Sequence, residues 1–303
     1  MTLRRVGVTG ASGMVGRHLL ALLGCHGIAA VATSRTPPAA EVEWRRSDVT
    51  DWRDPDSLDA LFPDVAAVVH LAAILPGEAS AAQLIDANVR ATLVLGQWAL
   101  ARGKPLVFLS SGSVYGETVR PVRESDPLSP LPLGGLYGLS KQLAEQALGH
   151  LAARGLACTV LRPTAIYGWG MPAEKMVAAF LSRALAGAAI DLEPPTEDRV
   201  NLVHAADVAA AILAALQSRA GGTFNIAGPA RVSILDLAEA CVRVAAAGRI
   251  RIGDTAAGRS PIDRFQLDPA KAAEILGYAP RIGLDPGLDL LLRQTCLPDT
   301  EFR

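Results

Sequence analysis

The chain has 303 residues, 50% of them apolar, and its 29 basic and 30 acidic side chains leave a formal net charge of −1. That length can bury a large core in one big domain or two, and near-neutral charge without a long basic run argues against nucleic-acid binding. No stretch of about 18 apolar residues is free of charge, so no membrane span is expected, and the alternating N-terminal residues do not read as a signal peptide.

The first predicted element is a short buried strand, Val6 and Val8 framed by Leu3 and Thr9, ending in a turn that holds Gly10, Gly13 and Gly16. From Met14 the pattern becomes helical, with Met14, Val15, Leu19, Leu22 and Leu23 on the apolar face. A strand, a glycine turn and a helix start are the context a dinucleotide motif needs. Gly10 serves the tight turn, Gly13 lets the backbone approach a pyrophosphate, and Gly16 lets the helix pack closely on the strand. The helix start, with Ser12, Met14 and Val15 around it, offers free N–H groups and a positive dipole end to the phosphates.

Residues 28–33 read as a second strand that ends at Ser34 and Arg35. An NAD-binding unit usually places an acidic residue there for the ribose 2′-hydroxyl. Ser34 and Arg35 suit a 2′-phosphate instead, which predicts NADP(H) as the preferred cofactor with NAD(H) also accepted. A third strand at 42–46 leads to Ser47, Asp48 and Val49, and a short helix around 57–61 follows. The fourth strand, 66–71, is almost continuously apolar, as suits a parallel sheet covered on both faces. It runs into His70, Leu71, Ala72 and Ala73, where small residues leave room for a cofactor; His70 itself reads as a hydrogen-bonding residue rather than a catalyst.

A helical stretch over 79–102 contains Asn88, and a fifth strand at 105–109 ends in the run SSGSVYG, residues 110–116. After a proline-rich loop, Tyr137 opens a helix with Lys141 one turn further on, on the same face. A sixth strand, 157–161, leads to Arg162, Pro163, Tyr167 and Gly168. Beyond it the pattern changes to a loop and helix over 169–198, a strand at 200–203, a helix at 207–216 and a strand at 223–226. Helices at 234–247, 269–276 and 286–293 and a strand at 250–252 complete the chain. This alternation predicts an α/β fold, a Rossmann doubly wound parallel sheet with a smaller, interleaved C-terminal substrate domain. The dinucleotide-binding part covers 1–168 plus about 199–227, and the substrate part 169–198 and 228–303. Cys25, Cys158, Cys241 and Cys296 show no CxxC spacing, and the five histidines form no metal-ligand cluster, which predicts reduced, mostly buried thiols, no metal and a cytoplasmic protein.

Ser111, Tyr137 and Lys141 form a second constellation. A tyrosine with an ordinary pKa of about 10 is a poor base at neutral pH, but a cation one helical turn away favours the tyrosinate. With a strand-end hydroxyl to hold a substrate oxygen and a nicotinamide nearby, the set suits hydride transfer between an alcohol and a ketone.

At this point the chain resembles the extended short-chain dehydrogenase/reductases, the NAD-dependent epimerase/dehydratase family, most of which act on nucleotide sugars. The resemblance rests on TGASGMVG at 9–16, SDVTD at 47–51, HLAA at 70–73, SSGSVYG at 110–116, YGLSK at 137–141, LRPTAIYG at 161–168, NLVHAADVA at 201–209 and LDPAKAAEILGYAP at 267–280, in the family's order. It implies that Tyr137 is the catalytic acid/base, that Lys141 binds the nicotinamide ribose and tunes that tyrosine, and that Ser111 is the catalytic hydroxyl, with Ser113 the near alternative. It further implies that Asp48 and Val49 meet the adenine edge, that Leu71, Ala72, Ala73, Asn88 and Ser110 belong to the cofactor pocket, and that Pro163 sits beside the nicotinamide. Arg199 and Arg264 fall where relatives aim arginines at the substrate diphosphate. Gly112 and Ser113 stand where sugar 4,6-dehydratases carry Asp and Glu, and Ala165 stands where many epimerases have Asn. The expectation is therefore an NADPH-dependent ketoreductase acting on a nucleotide-linked keto-deoxysugar. A nucleotide-sugar 4-epimerase and a non-catalytic dinucleotide sensor are its rivals. Two copies are expected to pair through the helices at 79–102 and 137–154, which carry Ala91, Leu93, Leu95, Ala144, Ala147 and Leu148.

Overall fold

The computed structural model describes residues 3–75, 77, 79–118, 120–254 and 260–296; the expected substrate segment therefore extends in part beyond the described residues. The strands in chain order are β1 (Arg5–Thr9), β2 (Ala29–Ser34), β3 (Glu43–Arg46), β4 (Ala67–His70), β5 (Leu106–Leu109), β6 (Cys158–Pro163), β7 (Ala165–Tyr167), β8 (Ala189–Leu192), β9 (Arg199–His204), β10 (Gly222–Ile226), β11 (Arg231–Ser233), β12 (Arg249–Ile252) and β13 (Asp263–Arg264). Seven of them make one sheet in the order β10-β6-β5-β4-β1-β2-β3. Every pairing in it is parallel. It is the doubly wound Rossmann-type arrangement the alternation predicts.

The helices are α1 (Met14–Cys25), α2 (Ala81–Ile85), α3 (Ala91–Ala101), α4 (Leu136–Ala152), α5 (Met176–Leu185), α6 (Ala205–Ser218), α7 (Ile234–Ala245), α8 (Ala270–Leu276) and α9 (Leu284–Leu292). Strand side chains alternate between the two faces of the sheet. Val68 and Phe108 pack with α3 and α4 on one face, while Val69 and Val107 pack with α1 and α6 on the other. Both faces are dry, which is why β4 and β5 read as unbroken apolar runs.

The helix predicted over 79–102 divides in two. Ser80 and Gln83 form a reciprocal cap at its start, and a π-helical segment, Asp86–Arg90, joins α2 to α3. Such a wide turn often marks a functional position, and here it carries the buried Asn88. Four of the residues expected at a dimer contact, Ala91, Leu95, Ala144 and Leu148, are instead buried in the chain's own core; burial against neighbouring helices explains their small size.

β7, β11 and β13, of two or three residues, are too short to carry a periodic signal, and Asp191 interrupts the apolar run of β8, so the sequence does not anticipate these four. Three of them build around β9: the order β11-β9-β13, with β7 also on β9, makes a small second sheet, and β8 pairs with β12. Tyr167, Leu181, Leu202, Leu237 and Leu288 gather α5, α7 and α9 into a third core against these strands. Cys158 and Cys241 are buried, Cys296 half-buried and Cys25 exposed, and none is paired. Among the described residues no group of three or more His, Cys, Asp or Glu can hold a metal, and no described helix is long and apolar enough to cross a membrane.

Candidate functional site

The glycine turn is built as its spacing predicts. Gly10 has φ +64°, and a Cβ there would lie 2.7 Å from the backbone nitrogen of Ala72, so only glycine fits without strain. A Cβ at Gly16 would lie 2.5 Å from the Gly10 carbonyl oxygen, so the helix packs on the turn itself rather than on the strand. Gly13 caps α1 with no side-chain acceptor, and a Cβ there would meet nothing nearer than the Gly10 oxygen at 3.2 Å. The first N–H groups of α1 thus face open space, as an incoming pyrophosphate requires. Thr9 ties the two sides of the turn together, its Oγ1 accepting the N–H groups of Leu71 and Ala72 at 3.1 Å each. His70 places its ring nitrogens against Thr9 Oγ1 at 2.7 Å and Thr92 Oγ1 at 3.0 Å. Burial and the Lys141 charge push it down to about 3, so it stands neutral as a structural residue.

A cleft of about 510 Å³ crosses the carboxyl ends of β1, β4, β5 and β6 and continues to α5. Open α/β sheets bind ligands at this edge. Its walls bring together Gly10, Gly13, Met14, Val15, Leu71, Ala73, Ser110, Ser111, Ser113, Tyr137, Lys141 and Pro163, all named from sequence. A smaller cavity of about 160 Å³ adds Ser12, Ser34, Arg35, Asp48, Val49 and Ala72, and shares Gly10, Gly13, Leu71 and Ala73 with the cleft.

Tyr137 stands in the first turn of α4, and burial pushes its phenol up to about 12, opposed by the neighbouring Ser111 hydroxyl. The lowering by Lys141 expected from sequence is not found. The Lys141 ammonium lies 6.0 Å from the centre of the Tyr137 ring and donates to the Leu109 carbonyl at 2.9 Å. Desolvation of the phenol outweighs that more distant charge. Burial also lowers Lys141 to about 8, with the Glu145 carboxylate pulling the other way. Ser111 caps the short helix Gly112–Tyr115 by accepting the Ser113 N–H at 3.1 Å, while the buried Ser113 hydroxyl has no partner among the described residues.

The 2′-phosphate reading changes in detail. Ser34 donates to the Thr36 carbonyl at 2.6 Å and accepts from Trp44 Nε1 at 3.1 Å, so its proton is already committed. Arg35 is exposed and makes no hydrogen bond or ion pair among the described residues. Partial burial pushes Asp48 up, but two hydrogen bonds from Thr50 and the Arg35 charge hold it below the usual carboxylate range.

Three sequence candidates line neither cavity. Asn88 stands behind the cleft: its Oδ1 accepts the Ile74 N–H at 2.8 Å, and its Nδ2 donates to the Ile74 carbonyl and to Ser140 Oγ, each at 3.0 Å. It clamps the loop after β4 to α4 rather than touching the pocket. Arg199 and Arg264 are exposed on neighbouring strands β9 and β13. Sequence reasoning passed over the far wall, Leu133, Thr164, Ile166, Met171, Pro172, Lys175, Met176, Val177, Val200, Leu202 and Phe265. Lys175 is an exposed cation on that wall, and its side chain makes no hydrogen bond or ion pair among the described residues. A lysine just before a new amphipathic run is the one signal that could have found it.

The fold and the cleft are those of the extended short-chain dehydrogenase/reductase enzymes. The profile of the NAD dependent epimerase/dehydratase family matches residues 6–227, and the chain belongs to that family. It is 28% identical over 257 residues to a dTDP-glucose 4,6-dehydratase of Streptomyces niveus, covering 83% of this chain and 76% of that protein. It is 29% identical over 310 residues to a dTDP-4-dehydro-6-deoxy-D-allose reductase of a Streptomyces species, covering 93% and 94%. Among solved structures, MoeE5 in complex with UDP-glucuronic acid and NAD superposes with a TM-score of 0.80 at 26% identity, covering 96% of this chain and 98% of that one.

Proposed function

We propose that the chain is a cytoplasmic ketoreductase that uses NADPH to reduce a nucleotide-linked keto-deoxysugar. The observation that carries the reading is the convergence of Ser111, Tyr137 and Lys141 on one cleft continuous with the glycine turn. The residues fit a nicotinamide dinucleotide. The turn around Gly10, Gly13 and Gly16 would hold the pyrophosphate, Asp48, Val49 and Arg35 would frame the adenosine end, and Pro163, Ser110 and Lys141 would border the nicotinamide end. Bound there, the dihydronicotinamide supplies a hydride for the carbonyl carbon.

Ser111 holds the carbonyl oxygen by its hydroxyl. Tyr137 gives that oxygen its phenolic proton, and the charge of Lys141 stabilises the phenolate left behind. Burial keeps the Tyr137 phenol protonated at neutral pH, so it has a proton to give. The far wall, with Leu133, Ala165, Ile166, Met171, Met176, Val177 and Phe265, is almost wholly apolar. A sugar hydroxyl pressed against it would lose its partners at about 1–3 kcal/mol each, which favours a deoxygenated ring. Lys175, an exposed cation on the cleft wall, would meet the diphosphate, a role expected from sequence for Arg199 and Arg264. A two-part division of labour follows, with the seven-stranded sheet for the cofactor and the strands around β9 with α5 for the substrate.

Water elimination is disfavoured at this site. A Cβ at Gly112 would lie 2.9 Å from both the Pro163 carbonyl oxygen and Leu267 Cδ1, so no acid can be carried there. The reductase relative named for a 6-deoxy keto-sugar, matched over nearly the whole of both chains, supports the same reading. The test compares kcat/KM with NADPH for a nucleotide-diphosphate 4-keto-6-deoxyhexose and for its analogue with an intact hydroxymethyl group. Preference for the deoxy substrate is expected; equal rates would remove the apolar wall from the account.

A further inference from the structure

Behind Lys141 lies a buried polar chain that the reaction does not itself use. Ser110 donates a short hydrogen bond to Glu145. Arg162 grips the same carboxylate through Nε, at 3.1 Å to both oxygens, and through Nη2, at 2.5 Å to Oε2. Its Nη1 then donates to Tyr115 at 2.6 Å, and the Tyr115 hydroxyl donates to Asn225 Oδ1 at 2.9 Å. Ser110, Lys141, Glu145, Tyr115 and Arg162 are all at most 9% exposed. A buried ion pair adds little net stability for its desolvation cost, so its retention directly under a reacting lysine calls for another reason.

The geometry supplies one. Lys141 and Glu145 are one turn apart on α4 and hold adjacent residues of one strand end, Lys141 the Leu109 carbonyl and Glu145 the Ser110 hydroxyl. The next residue is Ser111. We propose that Glu145, held by Arg162, is a positioning residue that keeps the Lys141 ammonium charged and fixes the strand end presenting Ser111. The proposal rests on Tyr137 and Lys141 being the reacting pair.

Among the described residues no other charge around Lys141 can do this. His70 is neutral, Tyr137 and Tyr115 are protonated phenols raised by burial, and Cys158 is a thiol pushed up to about 12, by burial first and then by Glu145. On the π segment packed against α4, Asp86 and Arg90 pair with each other at 2.8 Å. Glu124 reaches the chain only at its far end, accepting the Asn225 N–H at 2.7 Å.

The test reads the charge of Lys141 without turnover, so that failure of the proposal and failure of the ketoreductase reading are separate results. NADPH affinity is followed by protein fluorescence as a function of pH in wild type, Lys141→Met, Glu145→Gln, Glu145→Asp and the pair Glu145→Gln with Arg162→Met. Wild type is expected to lose affinity with a midpoint at about 8, the value to which Lys141 is lowered, and Lys141→Met to lose that transition. Glu145→Gln is expected to move the midpoint down by about one pH unit, as loss of one nearby charge in a partly buried site implies. Glu145→Asp keeps the charge, so its midpoint stays while kcat falls. If Glu145→Gln alone does not fold, the double variant leaves no charge unpaired and carries the test. Glu145, not Arg162, acts on Lys141, so the same downward shift is expected. A midpoint at the wild-type value in the folded Gln variant, single or double, overturns the proposal, as does a midpoint that shifts in Glu145→Asp.

Discussion

Replacing Arg35 with Ala tests whether the loop after β2 reads the 2′ position of the cofactor. Ser34 has no proton to give a phosphate, because its hydroxyl is committed to the Thr36 carbonyl at 2.6 Å. The contact therefore falls to Arg35, which borders the smaller cavity with its guanidinium in no hydrogen bond or ion pair among the described residues. A charge-assisted hydrogen bond contributes about 1.5–3 kcal/mol. Arg35 is exposed and solvent screens it, so the lower part of that range applies, about 1.5–2 kcal/mol. At about 1.4 kcal/mol per decade this is a roughly ten- to thirtyfold loss of kcat/KM with NADPH, while NADH, lacking the phosphate, changes little. Initial rates over a range of both cofactors measure it. Adding Ser34→Asp restores the acid that NAD-binding units place here and is expected to turn the preference toward NADH. Equal losses with both cofactors would refute the reasoning and leave Arg35 stacked on the adenine. A wild type that prefers NADH would do the same.

Gly10→Ala forces a side chain into a left-handed backbone and within 2.7 Å of Ala72; a cost of at least about 1–2 kcal/mol should lower the denaturation midpoint and weaken cofactor binding, and an unchanged protein would contradict the turn geometry. Acid should destabilise the fold well above its carboxylate range. His18, His70 and His204 are fully buried and lowered, by burial first, to about 4, 3 and 3. The unfolded chain therefore binds protons below about 6.5 that the native one refuses. Asp207, raised by burial to about 6, works in the opposite direction over the same range. Together these groups predict a loss of about 3 kcal/mol on going from pH 7.5 to about 5.5, read from urea unfolding; a flat profile would mean the imidazoles are not held neutral. Finally, light scattering should give a homodimer mass, with contacts through Leu93, Ala147 and the exposed Leu136 and Leu139; a monomer at micromolar concentration would reject the pairing.

The strand–glycine–helix opening and the SSGSVYG and Tyr137–Lys141 runs were legible because each is local: spacing along the chain fixes spacing in space. The main sheet was legible for the same reason, since β1, β4 and β5 are apolar runs between turn signals. What sequence could not show depends on contacts distant along the chain. Asn88 looks like a pocket residue until the loop at Ile74 folds over it. Ser34 is an exception close in the chain: it looks available until its hydroxyl is seen to donate to the Thr36 carbonyl, two residues on. The tuning of Tyr137 was misjudged because helical spacing shows that Lys141 is near, but not that the Leu109 carbonyl claims its ammonium. The far wall around β9 was missed because β7 and β13 are too short to signal and meet only in three dimensions.

The central claim is that Tyr137 protonates a ketone as the cofactor reduces it, and turnover of Tyr137→Phe measures this most directly. Purified wild type and variant are given NADPH and a nucleotide-diphosphate 4-keto-6-deoxyhexose, and cofactor consumption is followed together with the alcohol formed. Wild type is expected to consume one NADPH per alcohol produced. The variant, folded and still binding NADPH, should be slower by roughly 10²–10⁴, the usual worth of a positioned general acid. A Phe variant with wild-type turnover would take Tyr137 out of the mechanism. Interconversion of sugar epimers without net consumption of NADPH would instead make the chain an epimerase.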